Sequence, residues 1–308
     1  MNNKIKIIID TDLGADCDDV GAIALAIEFA KRNECEILAV SHCIKGEEGP
    51  KCIDIISTYY DLYFPIGVND FKYIKDNNVH SYDREMIKQY EKYIKNSKYE
   101  NSVNLYRKIL SEADDDSVVF ITIGTLTNVS ALICSKKDNH SSLSGKELLD
   151  KKVKKFVCMF GIFNDGSRVT NFNNNERFVE YNVQCDVEAA RNFVSNVKKP
   201  VYIVDFYDGV DVWTCKKLFD KNIISPITLS YELYAKGPSR SWDLLAVYYV
   251  IKNEFYDEIG PGFLNIDVVG YSSFLTDENG NFFYLRPNVE KDKIEDTIDE
   301  FLISLEER

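Results

Sequence analysis

Ten residues near the start constrain this chain more than any others. Asp10-Thr11-Asp12-Leu13-Gly14-Ala15-Asp16-Cys17-Asp18-Asp19 places five carboxylates between a β-branched run at 5–9 and an apolar, helically periodic stretch at 20–29. That reads as strand, acidic turn, helix. Capping and the helix dipole at Asp18-Asp19 offset the mutual repulsion by less than about 1 kcal/mol per group. This is too little for five carboxylates. A hard divalent cation with oxygen ligands balances them, and calcium suits carboxylates and backbone carbonyls better than zinc does. The competing reading is a capped helix behind a solvated acidic turn.

The rest of the chain repeats the opening unit. Residues 36–41 form the next expected strand and 50–63 a helix; 118–123 is a buried strand ending at Gly124, followed by a helix at 127–134. Runs at 155–161 and 201–206 again enter polar loops. Between residues 69 and 101 the sequence turns polar, which predicts a long excursion containing a helix. Strands alternating with helices predict an α/β fold with a mostly parallel, open, Rossmann-like sheet flanked by helices. In such sheets ligands bind beyond the carboxyl ends of the strands, where the acidic turn falls. No repeat, linker or composition break divides residues 1–308, so a single domain is expected.

Composition narrows the partners. With 45% hydrophobic and 28% charged residues the chain has the make-up of a packed globular protein. A net charge of -13 lacks the basic footprint that nucleic-acid binding needs. No run reaches the roughly 18 apolar residues of a membrane span. The first residues lead into a strand with no signal-like segment, so a cytoplasmic address is expected. Eight cysteines are scattered with no C-x-x-C pair, which disfavours zinc and disulfide scaffolds and favours small buried thiols.

Two other Asp-x-Asp chemistries fail on the residues. Haloacid-dehalogenase-like phosphatases need Thr two positions after the second Asp, where this chain has Gly14. An EF-hand needs a helix before its loop, and here a strand precedes it. A phosphate-cradling glycine loop is absent.

The stretch IDTDLGADCDDVGAIAL at 9–25 resembles the N-terminal signature of the nucleoside hydrolase family. Three later segments agree in order: Gly124-Thr125-Leu126-Thr127-Asn128; Glu180-Tyr181-Asn182 with Asp186 and Glu188-Ala189-Ala190; and Trp242-Asp243-Leu244-Leu245-Ala246-Val247. The resemblance implies calcium-dependent cleavage of the bond between ribose and base, on a small-molecule nucleoside, by a homodimer or homotetramer. It assigns calcium to Asp12, Asp19, Asp243 and the backbone carbonyl of Ile123. It assigns ribose contacts to Asp18, Glu180 and Asn182, with looser ones from Asn174 and Met159. Asp12 becomes the general base of an oxocarbenium-like hydrolysis.

Two departures bear on the substrate. Many family members carry His before the C-terminal Asp to protonate the leaving base, and this chain has Trp242. His80 resembles a loop histidine near the family's active site, while Tyr231 and Tyr234 fall where the family contacts the base. The Asp18-Asp19 pair lies two residues further from Asp12 than in the common pattern, which leaves the role of Asp16 open. Three readings follow: a ribonucleoside hydrolase, a hydrolase of a different or modified N-riboside, or a catalytically silent nucleoside-binding protein. Assaying a panel of nucleosides for free ribose separates them.

Overall fold

The computed structural model describes residues 4–72, 74, 82–163 and 178–308. Twelve strands are present among them: β1 (Ile5–Thr11), β2 (Cys35–His42), β3 (Ile66–Val68), β4 (Glu100–Asn101), β5 (Val118–Ile123), β6 (Val153–Met159), β7 (Val201–Val204), β8 (Trp213–Thr214), β9 (Ser239–Arg240), β10 (Tyr256–Ile266), β11 (Ser272–Thr276) and β12 (Phe282–Pro287). Ten of them form one sheet in the order β11-β10-β12-β7-β6-β5-β1-β2-β3-β4, and β8 and β9 make a separate ribbon. From β12 to β4 neighbours pair in parallel, and β10 runs antiparallel to both β11 and β12. The α/β class and the mostly parallel sheet expected from the sequence are what the chain adopts.

Period-two alternation in β1 explains why both faces are covered. Ile7 and Ile9 enter one core with the helices Asp18–Lys31, Asp243–Lys252 and Lys291–Glu306, and Ile8 enters the other with Tyr106, Phe120, Phe156 and Phe193. A strand buried on both faces must be apolar throughout its middle, as β1 and β5 are. The stretch at 50–63 becomes the helix Glu48–Tyr59, and the polar excursion supplies the helix Asp83–Tyr90 and the short edge strand β4. The run expected as a strand through residue 206 stops at Val204. There Asp205 caps a turn of helix, Phe206–Gly209, through the Tyr207 N–H. Six of the eight cysteines are buried, Cys185 is half-buried and Cys134 is exposed. None is in a disulfide.

Asp299 illustrates how burial tunes a structural carboxylate. It accepts the backbone N–H groups of Cys215 (2.6 Å) and Lys217 (2.8 Å), yet burial pushes its carboxyl up to about 6. A carboxyl raised above its unfolded value binds its proton more tightly in the folded chain. Its unfavourable contribution is absent below about pH 4 and complete above about pH 6. Asp299→Asn is therefore expected to flatten the fall in Tm between about pH 4 and 6. Thermal unfolding with an unchanged pH slope would reject this.

Candidate active site

At the carboxyl edge of the sheet, β1 ends at Thr11 and the chain turns through residues 12–17 into the helix Asp18–Lys31. Gly14 makes the turn with φ of 118°, a conformation that L side chains rarely adopt. Three contacts fix it. The Gly14 N–H donates to the Tyr82 hydroxyl (2.8 Å), His42 Nε2 donates to the Leu13 carbonyl (2.9 Å), and Thr11 Oγ1 donates to Asp19 Oδ1. On the neighbouring strand end, a Cβ on Gly124 would lie 2.6 Å from the Asp12 nitrogen. Only glycine lets β5 come so close to the turn.

The five carboxylates divide into two systems. Asp10 is sealed on the other face of the sheet, where it accepts from the Tyr106 hydroxyl and Asn128 Nδ2, both at 2.8 Å. Burial pushes its carboxyl up to about 7. Asn128, the last residue of the Gly-Thr-Leu-Thr-Asn segment, also donates to the His42 carbonyl (3.2 Å) and accepts from Ser102 Oγ (2.9 Å). That motif residue thus joins three strand ends rather than reaching a ligand.

Asp16, Asp18 and Asp19 meet Asp243, which opens the helix Asp243–Lys252, with one carboxylate oxygen from each lying within 4.8 Å of the others. The junction is built by Asp18. Its Oδ2 accepts the Trp242 N–H (2.7 Å) and the Asp243 N–H (3.1 Å), tying the N-terminus of one helix to that of another 224 residues away. Burial, and then the charges of the neighbouring aspartates, drive Asp16, Asp19 and Asp243 far above the ordinary carboxylate range. Such a cluster is stable only as carboxylic acids or around a cation. The donor set is all oxygen, and Asp19 Oδ2 is buried without a hydrogen-bond partner. Both features fit a hard divalent ion.

A cavity of about 320 Å³ opens beside the cluster. Asp12, Asp16, Ile123, Met159, Glu180, Asn182 and Asp243 line it, together with the rings of Phe178, Tyr181, Phe206, Tyr234 and Trp242. Glu180 caps the helix Tyr181–Cys185: Oε1 accepts from Asn182 N (2.8 Å), and Oε2 accepts from Gly161 N and Val183 N (both 3.1 Å). Even so, burial pushes it up to about 7. Asn182 Nδ2 donates to the Met159 carbonyl (3.1 Å), locking the strand end of β6 to that helix.

The structure thus gathers Asp12, Ile123, Met159, Glu180, Asn182, Trp242 and Asp243 at one cavity, with Asp19 in the adjoining cluster. Asp12 lines the cavity but stands outside the four-carboxylate group. Asp18 is committed by one oxygen to the helix junction and is not among the lining residues. His80 and Asn174 lie outside the described residues. Of the two tyrosines, Tyr234 lines the cavity, while Tyr231 is core, hydrogen-bonded to Thr214 Oγ1 (2.9 Å). Sequence reasoning missed Phe178 and Phe206, and it left Asp16 open. An insertion that adds a carboxylate beside an acidic pair was the available signal for Asp16.

A buried carboxylate cluster that could hold a metal ion, beside a cavity of about 320 Å³ at the carboxyl edge of a parallel sheet, is the arrangement in which α/β proteins bind small ligands. Residues 7–272 match the family described as inosine-uridine preferring nucleoside hydrolase. The chain belongs to that family, whose members act on N-glycosyl bonds. Among solved structures it is similar to an inosine-uridine preferring nucleoside hydrolase from Bacillus anthracis, at 15% identity and a TM-score of 0.72 over 99% of each chain. It is similar to a purine-preferring ribonucleoside hydrolase from Gardnerella vaginalis, at 16% identity and a TM-score of 0.67 over 98% of this chain and 99% of that one. A type III effector protein, XopQ, complexed with adenosine diphosphate ribose, is similar at 10% identity and a TM-score of 0.71 over 99% and 95%. At such identities the likeness is one of fold. The comparison with curated proteins finds no match. No helix among the described residues is long and apolar enough to cross a membrane.

Proposed function

We propose that this protein hydrolyses the N-glycosidic bond of ribonucleosides, with calcium held at the aspartate cluster, and releases ribose and free base. The observation that carries this is the convergence of Asp16, Asp18, Asp19 and Asp243, with a partnerless Asp19 oxygen, beside a cavity lined by polar groups and rings. Asp19, Asp243, Asp12 and the Ile123 carbonyl are the proposed ligands, and Asp16 is added to them. When bound there, calcium supplies positive charge that orients the ribose diol and makes nearby water more acidic.

The chain's own residues do the rest. A carboxylate oxygen of Asp12 takes the proton of the attacking water as the bond from C1′ to the base nitrogen breaks through an oxocarbenium-like state. Glu180 and Asn182 hold the ribose hydroxyls, with Met159 beside them, and Asn174 and His80 are assigned by the resemblance alone. Asp18 serves chiefly by fixing Asp243 and Trp242, so its ribose contact is secondary. Cytosolic residence and a homodimer or homotetramer go with this reading.

Glu180→Gln and Asn182→Ala are expected to raise KM for ribonucleosides by about 10-fold or more each, the scale of one lost hydrogen bond to a buried partner. Calcium content should be unchanged. Steady-state kinetics on a nucleoside panel, with the base identified chromatographically, makes the check. Parental KM values in both variants would remove these residues from the ribose site.

A further inference from the structure

The cavity combines negative charge with aromatic rings, and none of its described lining residues is Lys, Arg or His. The Phe178 and Phe206 rings meet edge to face at 4.9 Å and 83°, and the Phe206 and Trp242 rings lie 5.9 Å apart at 30°. Tyr181 and Tyr234 also line the cavity. Ring faces attract cations, most strongly where water is thinned out, and the indole of Trp is the best of them. Asp12, Asp16 and Asp243 in the same lining reinforce that preference, and a divalent ion does not cancel the six carboxylates of the cavity and cluster, Glu180 among them.

On the ring side of the cavity the described residues offer only weak proton donors. The Trp242 indole N–H is already given to the Phe206 carbonyl at 2.7 Å. Burial pushes the Tyr234 phenol well above its ordinary range, so it is a weak acid. A neutral purine needs a proton to depart readily, whereas a base that already bears a ring positive charge does not.

Resting on the N-ribohydrolase reading above, we infer that the preferred substrates are N-ribosides whose base carries a fixed positive charge, such as pyridinium ribosides or N7-alkylated purine ribosides. The step balances without a general acid. The water oxygen forms a bond to C1′ and the C1′–N bond breaks. Its electron pair passes to the ring nitrogen and neutralises the cation, and the water proton goes to Asp12. The base leaves neutral, and Asp12 later returns its proton to solvent.

Full-length, calcium-loaded protein assayed with guanosine, 7-methylguanosine, nicotinamide riboside and 4-nitrophenyl ribofuranoside tests this. kcat/KM for 7-methylguanosine should exceed that for guanosine by on the order of 10²-fold or more. Part of the advantage should sit in KM, and Trp242→Leu should raise KM for 7-methylguanosine more than for guanosine. Phe178→Leu carries the same test should Trp242→Leu not fold. Guanosine turned over within about tenfold of 7-methylguanosine overturns the inference and leaves the hydrolase reading standing. Identical KM values for the two in the parent overturn it as well. Failure of all four ribosides, the nitrophenyl compound included, overturns the hydrolase reading itself.

Discussion

4-Nitrophenyl ribofuranoside is expected to be hydrolysed faster than inosine by on the order of 10²–10⁴-fold, the range that general acid catalysis supplies. Nitrophenolate departs unaided, while hypoxanthine needs a proton that Trp242 cannot give. The indole is also fixed: its N–H is bound to Phe206, and a Cβ on Gly209 would meet it at 2.4 Å. Trp242→His places an imidazole beside Asp243, where it can titrate near neutrality. It should raise inosine turnover more than nitrophenyl riboside turnover and so narrow the gap. His80→Ala discriminates the alternative donor, since it should slow inosine selectively if the loop histidine supplies the proton and leave both substrates alike if it does not. Similar turnover of both substrates by the parent, with His80→Ala harmless, would dismiss this account of Trp242.

Asp19→Ala should abolish calcium binding and lower activity by about 10³-fold or more, beyond the 10–100-fold typical of losing an outer partner of a metal ligand. Asp19 carries the buried oxygen without a partner and joins the cluster to β1 through Thr11. In the parent, saturating calcium should raise Tm, because at about 1,000 times Kd a ligand specific for the folded state contributes about 4 kcal/mol. The variant should show no such rise. Metal analysis finding equal calcium in both proteins would count against the site.

Much of this was legible in the sequence, because the acidic turn, the buried strands and the helix-opening Asp243 are local patterns. The junction made by Asp18 was not, since it joins residues 224 apart and no periodicity reports such a contact. Asp10 and Asp12 look equivalent as Asp-x-Asp. The strand ends between them at Thr11, so one carboxylate enters the far core and the other the cavity. The antiparallel strands β10 to β12 escaped notice because Gly260-Pro261-Gly262 interrupts the first of them, and Phe263 and Leu275 are exposed, which breaks the alternation. Phe206 looked like the end of a strand. Capping by Asp205 starts a turn of helix there, and the Phe206 ring lines the cavity.

The most direct test of calcium-dependent N-ribohydrolysis is the release of free ribose from 4-nitrophenyl ribofuranoside and a ribonucleoside panel, followed in calcium, after chelation and after calcium is restored. The account predicts ribose released in equal amount with the base or the nitrophenol, release lost on chelation and recovered with calcium, and none from Asp19→Ala. No ribose from any riboside, or release indifferent to both chelation and Asp19→Ala, would contradict it.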